Sequence, residues 1–234
     1  MRIFIDLHKK PQRVRYCDSM NAAIVAALDK AGIASKDMVG PEAQPWTFGM
    51  SGVAQADGFS NITGLTISTP SEMIARGLMQ IRPEWIRVHS SNGDVIDCSG
   101  ARRHLGRLPA EGVSELAVFF ASPILIKPLG KDPETEWIEE FGSVDFDAAF
   151  RRGLERRAGR EMDIRFSADP LTLAVGVTRR LVHLRKAANG RKVIVPAFSL
   201  PLTMRGHPED VRFAYMAGLG AKTRAGFGCP ILPQ

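Results

Sequence analysis

The sequence predicts an α+β fold of two similar halves, each running β-α-β-β-α-β. Three observations carry that expectation. An alternating apolar segment at the start of the chain passes directly into an amphipathic helix. The same order of elements returns after a stretch rich in Gly, Arg and Pro at 100–112. The composition, 44% hydrophobic and 24% charged over 234 residues, is that of an ordinary globular protein and excludes collagen-like, coiled-coil and disordered classes.

Residues 2–7 alternate as a strand, with Ile3, Ile5 and Leu7 on one face. Asp18 or Ser19 can cap the following helix, whose Met20, Ala23, Ile24, Ala27 and Leu28 recur with helical spacing. After a linker at 40–45, the segments 46–50 and 59–68 are rich in β-branched and aromatic residues and read as an antiparallel pair. A second helix is expected from Thr69, with Pro70 at its first position and Glu72 closing a capping box. Strands at 85–89 and 95–98 complete the first unit, 1–110. In the second unit, 113–234, strands are expected at 116–127, near 164, at 175–184 and at 193–203, with helices at about 144–157 and 208–217. This is a tandem pair of ferredoxin-like units.

The chain carries a net charge of +6, unevenly distributed: residues 1–150 hold 15 basic and 19 acidic side chains, and residues 151–234 hold 16 and 6. A basic C-terminal third on a near-neutral remainder points to a polyanionic partner, of which nucleic acid is the commonest. Cys17, Cys98 and Cys229 are odd in number and far apart, with no zinc or redox spacing, so free thiols in a reducing cytoplasm are expected. No secretory leader is read at the N-terminus. The longest apolar run, 116–126, is interrupted by Pro123 and falls short of a membrane span; it reads as a buried strand.

The most distinctive segment is 218–228, where Gly218-Leu-Gly220 and Gly226-Phe-Gly228 frame Ala221, Lys222, Thr223, Arg224 and Ala225. A dinucleotide fingerprint would need glycine at Thr223, and a Walker loop would need it at Ala221. Two readings are open. Paired glycines can bring successive backbone N–H groups around phosphate oxygens, with Lys222, Thr223 and Arg224 as further donors, or they can simply turn the chain into a last strand.

The segment beginning Phe198-Ser-Leu-Pro-Leu-Thr-Met-Arg-Gly-His-Pro and ending in the glycine loop closely resembles the C-terminal signature of CRISPR-associated pre-crRNA processing endoribonucleases of the repeat-associated mysterious protein superfamily. Trp46-Thr47-Phe48-Gly49 resembles the family's aromatic-Thr-aromatic-Ser strand, and Ala121-Ser122-Pro123-Ile124 its Ser-Pro-Ile strand. The resemblance implies two ferredoxin-like domains flanking a basic cleft, a glycine loop that contacts RNA, CRISPR repeat RNA and other effector subunits as partners, no cofactor and no metal. It also implies cleavage by attack of a 2′-hydroxyl on the adjacent phosphorus, leaving a cyclic phosphate.

The chain departs from the family's usual catalytic set. No histidine stands in the stretch from Lys36 to Gln44 just before Trp46, and the expected first helix holds no tyrosine. Either the protein binds RNA without cutting, or it cuts with other residues, as the arginine-dependent enzymes of type IV systems do. Arginine suits charge stabilisation of the phosphorane better than proton transfer. The candidate catalytic residues are Arg224 in the glycine loop, Arg13 and Arg15 between first strand and first helix, Lys36 near the place of the missing histidine, and His8 as a relocated acid or base. His89, His104, His183 and His207 show no metal-ligand or triad spacing. Arg151, Arg152, Arg156, Arg157 and Arg160 cluster around one acid, Glu155, and are expected to contact a repeat hairpin with Gly218, Gly220, Lys222, Thr223, Arg224, Gly226 and Gly228.

Overall fold

A computed structural model describes residues 1–90, 93–127, 137–138, 140–142, 145–187 and 189–233. Strand β1 (Arg2–Asp6) and short β2 (Gln12–Val14) lead into α1 (Cys17–Lys30) and a single turn, α2 (Ser35–Met38). Then follow β3 (Thr47–Ala54), β4 (Ser60–Ser68), α3 (Glu72–Gln80), a hairpin of β5 (Arg87–His89) and β6 (Val95–Asp97), and β7 (Arg102–Leu105). The chain continues through β8 (Glu115–Phe120), α4 (Phe146–Ala158), β9 (Ile164–Ala168), α5 (Pro170–Val175), a long hairpin of β10 (Thr178–Lys186) and β11 (Lys192–Ser199), β12 (Leu202–Gly206), α6 (Pro208–Ala217) and β13 (Pro230–Ile231).

Both main sheets have the strand arrangement of a β-α-β-β-α-β unit. In the first, β1 lies between β7 and β4, and β3 closes the edge beyond β4. In the second, β8 lies between β13 and β12, and β9 closes the edge beyond β12. Every pairing is antiparallel. The fold is therefore α+β, as expected.

The apolar stripes account for the packing. Ile3 and Ile5 of β1 and Leu7 just after it meet Met20, Ala23, Ile24, Ala27 and Leu28 of α1 in one fully buried cluster. Complete burial of Met20, Ile24 and Leu28 stabilises the fold by about 2 kcal/mol each. A second cluster joins Phe150 and Leu154 of α4 to Phe166, Met204 and Tyr215. A third is small and lies between the two: Cys17, Leu125, Leu184, Val195, Ala197 and Phe227 bring α1, the β10–β11 hairpin and the glycine segment together.

Several boundaries differ from expectation. The fourth strand of the first sheet is β7, inside the stretch read as a linker; all four of its residues are exposed, so no apolar alternation marks it. The expected strands at 85–89 and 95–98 form a separate hairpin. The run 193–203 is two strands, interrupted at Leu200-Pro201. The start of the expected 175–184 strand is the end of α5, begun by Asp169, whose carboxylate accepts from the Thr172 N–H at 2.7 Å. The apolar run 116–126 is a strand only in its first part, β8, where Val118 is buried but Phe119 is half exposed; the buried Ile124, Leu125 and Ile126 follow Pro123 outside it. Helix α4 starts at Phe146 on an Asp145 cap; Val144, its expected start, lies outside the described residues.

The caps also differ. Helix α3 begins after Ser71, and Thr69 instead accepts from the Ser71 N–H and donates to the Pro45 carbonyl. Helix α1 begins after Tyr16, and neither Asp18 nor Ser19 caps it. Its cap comes from a distant loop. The buried carboxylate of Asp94 accepts from the N–H groups of Arg15 and Tyr16, both at 3.0 Å, and from Ser19 Oγ at 2.7 Å. An anion there also complements the helix dipole. Asp94→Ala would strand these donors, and we expect urea unfolding to show a loss of about 3 kcal/mol; a loss below about 1 kcal/mol would contradict the capping role.

Candidate nucleic-acid interface

The glycine segment 218–228 follows α6 and is built as a closed loop. The Leu219 N–H donates to the Gly228 carbonyl at 2.8 Å, and the N–H groups of Gly228 and Ala221 donate to Pro123 and Leu125 at 2.9 and 2.7 Å. Gly228 has φ 58°, and a Cβ there would lie 1.9 Å from the Leu219 carbonyl oxygen. At Gly226 a Cβ would lie 2.8 Å from the Phe48 ring. The glycines thus make the turn and let the loop press against β3 of the other sheet. Beneath the loop, the buried Thr47 hydroxyl lies 3.3 and 3.4 Å from the carbonyls of Thr223 and Phe227. The Trp46-Thr47-Phe48-Gly49 segment is therefore the floor of the glycine loop. What the loop shows to solvent is its tip: Lys222 is exposed, in the left-handed conformation with φ 52°, beside the half-buried Arg224.

Helix α4 runs alongside. Arg157 is a strut, since its guanidinium donates to the carbonyls of Ala217 and Gly218 at 3.2 and 3.0 Å and to Thr223 Oγ1 at 2.8 Å. Burial, with Arg156 and Arg224 close by, pushes its pKa down. Arg160 pairs at 2.5 Å with the buried carboxylate of Asp210. These two arginines are thus committed to protein partners. Arg152 and Arg156 are exposed and line a groove of about 480 Å³ with Lys127, Gly153, Glu155, Gly220 and Ala221; Arg151 on the same helix is half-buried.

A second basic strip follows the N-terminal half of α1. Asn21 donates to the Arg224 carbonyl at 2.6 Å. One turn earlier, burial raises the Asp18 carboxyl while Arg185 and Lys222 pull it back down. At the helix start, the Tyr16 ring meets His183 of β10 edge-on at 5.9 Å. Arg13 and Arg15 place their guanidinium groups 4.1 and 4.0 Å from the centre of the Phe59 ring, and Asp57 ties both down by accepting from Arg13 with its carboxylate and from Arg15 with its carbonyl.

The expected catalytic candidates are therefore separated. Arg224 donates to the Gly40 carbonyl at 2.9 Å through one nitrogen, while its other terminal nitrogen is buried without a partner; burial, then Arg156, lowers its pKa. Lys36 is exposed on α2. His8 hydrogen-bonds Asp6 at 2.8 Å and lines a different groove, with Phe4 and His104. Helix α1 holds no tyrosine, as expected, and Tyr16 stands immediately before it as its N-cap.

The sequence pointed to strands at both arms of the β10–β11 hairpin, but their charged residues were not among the expected RNA contacts. Arg179, Arg180, Arg185, Lys186, Arg191 and Lys192 lie on it, and no acid stands between Asp169 and Glu209. That acid-free interval was the signal in the sequence.

Among the described residues no group of three or more His, Cys, Asp or Glu could hold a metal ion, and no helix is long and apolar enough to cross a membrane. No curated protein matches the sequence. Among solved structures, the chain is similar to a RAMP protein described as binding different RNA substrates (17% identity, 100% of both chains, TM-score 0.69). It is also similar to a Cas6-related protein from Pyrococcus furiosus (16% identity, 100% of this chain and 98% of that one, TM-score 0.69) and to a Cas6 product complex (14% identity, 98% and 97%, TM-score 0.57). These likenesses establish the fold. The family model for the C-terminal part of CRISPR-associated protein Cas6 matches residues 109–230, just over half of the chain, and the chain belongs to the Cas6 family.

Proposed function

We propose that this chain binds the repeat RNA of a CRISPR transcript, cuts it, and keeps the processed RNA bound. The observation that supports the reading best is the joining of two basic surfaces at one point. The groove of Arg152 and Arg156 reaches the glycine loop at Gly220 and Ala221, with Arg156 close to Arg224, and on the other side Arg185 and Lys222 share the neighbourhood of Asp18, in a chain of the Cas6 family. A hairpin stem carries phosphates on both strands and is recognised by shape and backbone, which a cationic groove beside an exposed arginine helix suits. In this reading residues 1–110 and 113–234 act as two domains in the cytoplasm, with the loop of the second closing on the first, and other effector subunits dock on the RNA-loaded protein.

Cutting uses the RNA's own 2′-hydroxyl. The 2′-oxygen attacks the adjacent phosphorus in line, the bond to the 5′-oxygen breaks, and the products are a cyclic phosphate and a 5′-hydroxyl. Because the nucleophile is internal, no metal-bound water is needed. Alignment and cationic side chains supply the rate, while Arg224 and Lys222 grip the RNA backbone at the loop tip. Incubation with cognate repeat RNA in excess chelator should give a 5′-hydroxyl fragment and a cyclic phosphate end. Cleavage abolished by chelator and restored by magnesium would overturn the metal-free reading, and tight binding with no cutting under any condition would leave an RNA clamp.

A further inference from the structure

We infer that His183 is the general base of the cutting step, and that the scissile phosphate sits between the β10–β11 hairpin and the turn joining β3 to β4. The inference rests on the cleavage reading above and adds to it the group that moves the proton, a role no arginine fills well.

Position is the first argument. His183 stands at a bulge in β10, between His183 and Arg185, which changes where neighbouring side chains of the strand point. The Tyr16 ring braces the imidazole edge-on. Nδ1 is buried with no hydrogen-bond partner, so the ring is held by packing and its other nitrogen is the one available to a ligand. A Cβ built at Gly58 would lie 3.7 Å from Nε2, and the glycine leaves that space open. A histidine serving only the core would be expected to satisfy its buried nitrogen.

Surroundings are the second. The groups facing His183 are Tyr16 and Arg15 at the start of α1, Lys192 on β11, and the β3–β4 turn at Gly58, where Arg13 holds Asp57. Arg15 has a buried Nε without a partner, although its guanidinium stacks on Phe59. Arg15 and Lys192 are thus placed to stabilise negative charge on a phosphorane next to the imidazole. Burial, then Lys192 and Arg15, lower the histidine's pKa, which favours the neutral ring that can accept a proton.

The step balances as follows: the 2′-hydroxyl proton passes to Nε2, the 2′-oxygen bonds to phosphorus, and the phosphorus to 5′-oxygen bond breaks. The leaving oxygen takes a proton from water, and the resulting hydroxide removes the proton from the imidazolium.

Single-turnover cleavage of cognate repeat RNA at saturating protein tests this. In His183→Gln the rate constant should fall about a hundredfold or more, with RNA affinity within about threefold of wild type. The wild-type rate should fall as pH drops below the ordinary histidine range, because a protonated base cannot act, and the variant should lack that acid limb. Added imidazole should restore part of the rate to His183→Gly. Cleavage by His183→Gln within about threefold of wild type, a retained acid limb, or a rate loss matched by equal loss of RNA binding would overturn the assignment. A wild-type protein that binds but never cuts would instead strike down the cleavage reading itself, so the two failures are distinguishable.

Discussion

Gly228→Ala is expected to abolish the native seam between the two sheets, whereas Gly153→Ala should stabilise the protein. At Gly228 the added carbon would lie 1.9 Å from the Leu219 carbonyl oxygen, and the backbone sits at φ 58°. That oxygen belongs to backbone, so no side chain can swing aside. The Leu219 N–H is itself bonded to the Gly228 carbonyl, which fixes the separation of the two strands of the loop. The clash and the left-handed conformation together should cost about 4 kcal/mol or more, a large share of the roughly 5–15 kcal/mol that holds a domain folded. Gly153 lies inside α4 and would bring its Cβ no nearer than 3.9 Å to any neighbour outside its own helix, the Gly220 carbonyl. There alanine should add about 0.5–1 kcal/mol through helix propensity. Urea unfolding of both variants decides the matter. A Gly228→Ala protein as stable as wild type would show that the loop can take another course, and that its glycines serve the ligand instead of the seam.

The glycine signature was legible in the sequence as a motif, yet its two readings could not be separated there. The separation depends on what lies beneath the loop, namely Thr47 and Phe48, some 170 residues earlier in the chain. Strands and helices with one buried face were readable from periodicity, as the fully buried stripe of α1 shows. Strand β7, Arg102–Leu105, was not, because an edge strand with every side chain exposed has no hydrophobic period to read. Helix capping failed for a related reason: Asp94 reaches α1 from 78 residues away, and local rules consider only nearby side chains. Arginine counting likewise found the right helix but could not assign roles within it. Arg157 and Arg156 are neighbours in sequence, one a strut beneath the loop and the other on the groove wall, and helical geometry alone places them on different sides. His183 was invisible because its significance lies in Tyr16 and Arg15 at the start of α1 and in Lys192 on β11, none of them on its own strand.

Replacing Arg152 and Arg156 together with glutamine should weaken binding of the repeat hairpin on the order of fiftyfold at about 0.1 M salt. It should also lower the slope of log affinity against log salt by about two units, since each neutralised phosphate contributes roughly 0.9. Both side chains are exposed on the groove beside the glycine loop, and neither makes a hydrogen bond or ion pair to another described residue. Both lie off the buried stripe of Phe150 and Leu154, and glutamine keeps the helix propensity, so the unfolding midpoint should stay within a few tenths of a kcal/mol of wild type. Affinity and stability thus separate cleanly. The cleavage rate constant at saturating protein should change little, because the arginines hold the stem and do not face the scissile phosphate. The same logic makes product release slow, since cutting one bond leaves the stem contacts in place. Fluorescence anisotropy across a salt series gives the slope, and a chase with unlabelled hairpin gives the release rate. An unchanged slope would mean that this face of α4 looks to solvent or to a protein partner, and rapid release after cutting would show that the grip on the RNA lies at the scissile site.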